Sequence, residues 1–249
     1  MTVAERSAVT TTPLDRHARA ALCFSGGKDS LACVYLVGPF LDRITVYHVD
    51  TGDLLPETET LVSQVQAFVP HFVRLETDVA AWIAGNGLPS DLVPYSSHPI
   101  GQALGQAGRR IVPRYDCCWA NIMWPLFARI QADGHTLVIR GVKAADFPRL
   151  PVTSGAVIGD LEIWHPVQDW TDHDVFSFLA KQEVPLPRIY DYVDSGPDCA
   201  RCSAWWSEQR GAYLHRFHPE LWREYDARLR VIAAEIAAPL ALLEREMAS

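Results

Sequence analysis

A short apolar run, Ala20–Phe24, ends in Ser25-Gly26-Gly27-Lys28-Asp29-Ser30 and passes straight into an apolar helical pattern from Leu31 to Phe40, closed by Gly38-Pro39. Strand, glycine turn and helix in that order open a βα unit, whose next strand returns parallel to the first. The alternation continues. Ile44–Val49 is β-branched and reads as a second strand, and Pro56–Val69 as a helix with Pro56, Glu57 and Glu59 in its first turn. Phe72–Leu75, Thr136–Gly141 and Leu161–His165 follow as strands. Val79–Ala84 and a segment starting at Thr171, with Asp174 three positions on, follow as helices. The spacing predicts an α/β fold, a parallel twisted sheet with helices on both faces. Pro219–Met247 adds a long helix, so 208–249 reads as a helical C-terminal extension. Residues 1–19 are polar without a period and read as a flexible tail. Leu88–Pro113 reads as a long loop, Trp119–Ala132 as a helix interrupted early by Pro125, and Pro185–Cys202 as irregular.

The glycine turn carries chemistry. Free backbone N–H groups at a helix start, with the positive end of the helix dipole, make an anion site. Glycines let the backbone approach a phosphate closely. Lys28 adds a point charge, and Ser25 and Ser30 add hydroxyl donors. The spacing is not that of a Walker loop, which needs four residues between its first Gly and the Gly-Lys. The plainer alternative is a strand–helix turn with capping serines. Asp50 falls at the carboxyl end of the second strand, where open α/β sheets contact ligands, though a turn-forming aspartate fits there too.

The 249 residues are 49% hydrophobic and 21% charged, enough for a full core. No apolar run approaches the roughly 20 residues of a membrane span, and residues 1–19 lack an apolar signal core. A cytoplasmic location is the expectation, and thiols stay reduced there. The net charge of −8, with basic residues scattered, disfavours a long nucleic-acid partner. Arg109, Arg110 and Arg114, and Arg140, Lys143 and Arg149, form the two basic groups, which suit local anion sites. A homo-oligomer is compatible with the sequence.

Four of the six cysteines come as an adjacent pair, Cys117-Cys118, and a Cys-x-x-Cys, Cys199 and Cys202. Four thiolates suit tetrahedral zinc or a [4Fe–4S] cluster. Adjacent side chains diverge, which is awkward for one zinc ion but acceptable for a cubane with four iron corners. Cys23 and Cys33, in apolar segments, read as small buried hydrophobes.

The loop Ser25–Ser30 resembles the pyrophosphate loop (PP-loop) of the ATP pyrophosphatase superfamily. His48-Val49-Asp50-Thr51-Gly52 with Leu55–Thr58, Arg114–Cys118, and Asp169-Trp170-Thr171 with Asp174-Val175 resemble phosphoadenylyl-sulfate (PAPS) and adenylyl-sulfate (APS) reductases, in the same order. The resemblance spans about residues 20–207 and implies the adenine nucleotide α-hydrolase-like fold. It implies a nucleotide site at Ser25, Gly26, Gly27, Lys28, Asp29, Ser30, Asp50, Thr51 and Gly52, with Lys28, Asp50, Arg140 and Lys143 acting in catalysis. The cysteine pattern, with 80 residues between its halves, resembles the cluster motif of bacterial and plant APS reductases and of superfamily members that modify DNA or RNA with sulfur. It implies a [4Fe–4S] cluster on Cys117, Cys118, Cys199 and Cys202.

Two features depart from the reductases. They attack sulfur with a cysteine in a Glu-Cys-Gly-Leu-His tail, and no cysteine follows Cys202 here. Many of their loops also lack the lysine, whereas Lys28 suits a β,γ-phosphate chain. The leading expectation is therefore an iron–sulfur, ATP-dependent enzyme that releases AMP and pyrophosphate with Mg²⁺ and transfers sulfur from a donor protein. The alternatives are an APS or PAPS reductase using an external thiol or electron donor, and a non-catalytic nucleotide and redox sensor.

Overall fold

The computed structural model describes residues 12–105, 110–193, 196, 198–206 and 209–248. Arg109 and most of the expected tail lie outside them. Five parallel strands form the main sheet: β1 (Ala20–Cys23), β2 (Ile44–Asp50), β3 (Phe72–Glu76), β6 (Leu137–Arg140) and β8 (Leu161–Trp164). A two-residue strand, β7 (Val157–Ile158), pairs antiparallel with β8, and the order is β3-β2-β1-β6-β8-β7. The sheet grows from β1 toward β3 on one side and from β6 outward on the other. The order thus reverses between β1 and β6, the place where open α/β sheets form a ligand crevice. In register, Cys23 at the end of β1 lies between Tyr47 and Arg140.

Side chains alternate across the sheet as the two-residue period demands. Ala20, Leu22, Ile44, Val46, Leu137 and Ile139 face α2 (Lys28–Leu36), α3 (Pro56–Phe68) and α8 (Asp172–Lys181) in the largest core cluster. Ala21, Tyr47, Val138 and Ile163 face Ile130 and Phe127 of α7 (Trp124–Ala132) on the other side. Both faces are covered, as the α/β reading requires. The capping box expected at Thr171 is present, with Asp174 N–H donating to the Thr171 hydroxyl at 3.2 Å.

Three expectations are corrected. Residues 12–19 are not a loose tail. Thr12–Arg16 forms α1, Leu14 is 1% exposed in the main core, and Arg16 and His17 hold Glu162 at 2.6 and 2.8 Å. One apolar side chain in a polar stretch anchors it, which no periodicity signals. The expected loop 88–113 contains β4 (Leu88–Ser90) and β5 (Ile111–Pro113), paired parallel, and a short helix α5 (Pro99–Ala103). Helix begins not at Trp119 but at α6 (Arg114–Cys118), and runs through a π-helical turn, Trp119–Met123, into α7. Pro125 interrupts nothing, because it sits at the first turn of α7. The expected helices are present at α4 (Val79–Asn86) and in the C-terminal extension, which is helical as α9 (Arg210–Phe217) and α10 (Pro219–Met247). Tyr213, Leu214 and Tyr225 of this pair pack with Leu55 and Ala200, so its first half leans on the site. No described helix is long and apolar enough to cross a membrane.

Candidate functional site

The carboxyl ends of β1 and β6 carry two loops that touch. Gly26 has φ +83°, and a Cβ there would stand 2.6 Å from Thr58 Cγ2, so the turn requires glycine. A Cβ on Gly141 would stand 2.4 Å from Ser30 N and 2.5 Å from the Asp29 carbonyl carbon. The β6 loop can therefore lie on the start of α2 only with glycine at 141. Between the loops a cavity of about 180 Å³ is lined by Ser25, Ser30, Arg140 and Gly141 with apolar Phe24 and Val49. The Ser25 and Ser30 hydroxyls are 3.2 Å apart, and Gly27 N–H donates to Ser25 Oγ. Arg140 has no ion-pair partner within contact distance among the described residues, though the buried Asp198 carboxyl lines the same cavity and feels its charge.

The two lysines are placed otherwise. Lys28 Nζ, expected to face a phosphate chain, contacts Asp172 at 2.8 Å and Asp29 at 3.2 Å. Lys143 Nζ contacts Asp29, Asp146 and Asp172 at 2.8, 3.0 and 3.3 Å. The lysine side chains are 2% and 1% exposed, whereas those of Asp29, Asp146 and Asp172 are 18%, 37% and 43% exposed, so the carboxylates present themselves outward. Burial would lower the Lys143 ammonium, but Asp29 and Asp146 outweigh it and raise its pKa. Burial would raise Asp172; Lys28 and Lys143 hold it low instead. The Lys28 N–H donates to the Tyr190 hydroxyl at 2.8 Å.

Asp50 is also committed. Arg74 grips it at 2.6 Å while holding Glu59, and Gly52 N–H donates to it at 2.9 Å. Burial opposes the shift, yet these donors keep its carboxyl below the usual range. Asp50, Thr51 and Gly52 do not line the crevice cavity; they shape the turn after β2. Thr51 is buried, with its hydroxyl 3.4 Å from Cys199 Sγ. The turn therefore faces the cysteines.

All four expected cysteines converge. Cys117, Cys118, Cys199 and Cys202 are free thiols lining one small cavity with Asp53, Asn121 and Arg228. Cys117 and Cys118 close α6 just before the π-helical turn, a feature frequent at functional sites. Asn121 from that turn donates to the Cys117 carbonyl at 3.0 Å. Burial, then the neighbouring Cys202, pushes Cys117 up to about 11 and Cys118 up to about 12, and burial raises Cys199 as well. Among the described residues no three Cys, His, Asp or Glu close on a single metal ion. A second cavity of about 390 Å³ joins Cys118, Cys199 and Cys202 to Lys28, Asp29, Asp146 and Asp172. The cysteines and the glycine loop thus border one space.

Sequence reasoning missed what holds the Cys-x-x-Cys loop. Asp53, 3% exposed, accepts from Arg201 Nε at 2.7 Å, and its carbonyl accepts the Ala200 N–H at 2.6 Å. Arg228 of α10 donates to the Arg201 carbonyl, and buried Arg210 of α9 to the Cys199 carbonyl, each at 2.7 Å. Only the place of Asp53, three residues after Asp50, hinted at a role.

The profile of the phosphoadenosine phosphosulfate reductase domain matches residues 19–89, which include the glycine loop and the turn after β2. Adenosine 5′-phosphosulfate reductase from Neisseria meningitidis is 23% identical over 215 residues, covering 79% of this chain and 81% of the relative. The enzyme of that name from Allochromatium vinosum is 23% identical over 199 residues, covering 70% and 69%. The chain is similar to PAPS and APS reductases over these segments. The crystal structure of PAPS reductase from Candida auris, a phosphate complex, shares the fold at a TM-score of 0.50 and 14% identity, covering 75% of this chain and 83% of that one. The matched segment supplies β1 to β3 and most of β4, while the four paired cysteines and Arg140 lie beyond it.

Proposed function

We propose that the protein binds an adenylyl sulfate, APS or PAPS, in the crevice between β1 and β6 and reduces its sulfate with thiols from outside these 249 residues. The observation that carries this reading is the division of the cations: Arg140 lines the crevice with no ion pair among the described residues, while Lys28 and Lys143 are held by aspartates. A triphosphate chain needs the lysines. A phosphosulfate needs a guanidinium and a few donors, which Arg140, Ser25 and Ser30 supply. The names of the curated relatives favour the same substrate class. ATP-dependent sulfur transfer, favoured by the lysine in the loop, is the weaker reading because that lysine is occupied.

A thiolate attacks the sulfuryl sulfur, the bond from sulfur to the phosphate oxygen breaks, and AMP leaves from APS or adenosine 3′,5′-bisphosphate from PAPS. A second thiolate then attacks the S-sulfonated sulfur and expels sulfite, forming a disulfide. Two thiols lose two electrons and sulfur falls from +6 to +4. Cys117, Cys118, Cys199 and Cys202 line one cavity and supply the four thiolates that a [4Fe–4S] cluster takes, so they are the residues that would hold one. Such a cluster would tie the two cysteine segments together and set the field beside the crevice. Thr51 positions the Cys199 sulfur, and Arg140 orients the anion and steadies charge on the departing phosphate.

Anaerobic incubation with APS, PAPS or Mg·ATP, each with dithiothreitol, tests the reading. Sulfite from APS or PAPS is expected. Pyrophosphate from ATP without sulfite from either sulfonucleotide refutes it, and tight nucleotide binding without turnover favours the sensor.

A further inference from the structure

The glycine loop is closed from within. The turn Arg188–Asp191 sets the Tyr190 hydroxyl 2.8 Å from the Lys28 nitrogen, where it takes the first N–H of α2. The Tyr190 ring stands against the Phe176 ring, centroids 5.9 Å apart, and both rings lie 5.7 Å from Lys28 Nζ. Phe176 comes from α8, the helix that also supplies Asp172. The lysine is thus boxed by two rings and two carboxylates. Around it, Asp29, Asp146 and Asp172 exceed Lys28 and Lys143 by one negative charge, with the carboxylates on the outer side.

An extended phosphate chain laid on the start of α2 meets a donor already taken, ammoniums already paired and a surplus of negative charge. An anion at Arg140 meets a guanidinium without an ion pair among the described residues, although Ser30 Oγ donates to the Gly27 carbonyl at 2.9 Å and the buried Asp198 carboxyl lines the same cavity. We infer that Tyr190 is a specificity residue: with the aspartate-bound lysines behind it, it makes the crevice accept adenine nucleotides with a short 5′ chain, AMP and APS, and reject the triphosphate. The inference rests on the proposed nucleotide site and deepens it.

Calorimetric titration of the full chain with AMP, APS, Mg·ATP and inorganic pyrophosphate tests it, repeated with Tyr190→Phe and with Asp172→Asn. The unaltered protein is expected to bind AMP and APS at least about tenfold tighter than ATP, the combined effect of a missing donor and one repulsive charge. Tyr190→Phe keeps the ring and frees the N–H. It is expected to tighten ATP and pyrophosphate about fivefold, the worth of one hydrogen bond, and to leave AMP within twofold. Asp172→Asn, which lowers the negative charge without touching Tyr190, is expected to move the ratio the same way. Equal affinity for ATP and AMP in the unaltered protein overturns the inference, as does a ratio unmoved in both variants. If sulfite is still released from APS in that case, the inference fails alone. Absence of binding by all four ligands overturns both it and the reading beneath it.

Discussion

Asp53 is the residue whose removal costs most for its size. Its side chain is 2% exposed and faces Arg201 Nε at 2.7 Å, with Arg228 Nη1 at 3.8 Å. Asp53→Ala leaves two guanidiniums against an apolar pocket beside Cys117 and Cys199. Breaking a buried pair by deleting one partner costs about 3–5 kcal/mol. Arg201 remains 20% exposed and keeps Glu224, which places the expectation at the lower end, about 3 kcal/mol. At roughly 2–4 °C per kcal/mol for a protein of this size, the melting point falls by about 6–12 °C. Asp53→Asn keeps one acceptor for Arg201 and should lose about half as much. Urea unfolding at pH 7.5 with thermal melts measures both. A loss below about 1 kcal/mol for the alanine variant would show that the Cys-x-x-Cys loop is held by its backbone contacts alone.

Gly141→Ala is expected to destabilise the fold by roughly 2–3 kcal/mol and to weaken AMP binding, because its Cβ meets backbone atoms of Asp29 and Ser30; an unchanged urea midpoint refutes this. Cys118→Ser, purified without oxygen, is expected to lose iron and sulfide, and a variant with full iron content ends the four-cysteine assignment. Burial holds His48, His135 and His165 below their ordinary value of 6.5. The unfolded chain therefore binds protons first. Stability is complete above about pH 6.5 and falls as pH drops from there toward the lowered native values, so urea midpoints at pH 7.5 should exceed those at pH 5.5.

The sheet was legible because each strand is a short apolar run bounded by turn residues, and such runs carry their own signal. The glycine loop was legible for the same local reason: strand, turn and helix are contiguous. The convergence of the cysteines rested on spacing read through a family resemblance, and the structure brings all four to one cavity. The fate of the lysines was not legible. Asp146 is local to Lys143, but Asp172 and Tyr190 reach Lys28, and Asp29 reaches Lys143, across more than a hundred residues, and no local pattern couples elements so far apart. Leu14 and the hydrogen bonds of Asp53 were hidden likewise, since one side chain has no period. Arg140 and Lys143, read as one basic group, divide because one lines the crevice and the other turns into the aspartates.

The sheet ends differently on its two flanks. β7 offers an incoming strand only two residues, and it already runs against its neighbour. β3, on the far flank, places Arg74 and Glu76 within a five-residue stretch, with Arg74 fixed to Asp50 and Glu59. A foreign strand docking there would have to desolvate a bound arginine, and one docking at β7 would find almost no ladder to extend. Both flanks are thereby guarded against fibril-type growth, which matters for a chain whose central strands β1 and β6 are mostly aliphatic.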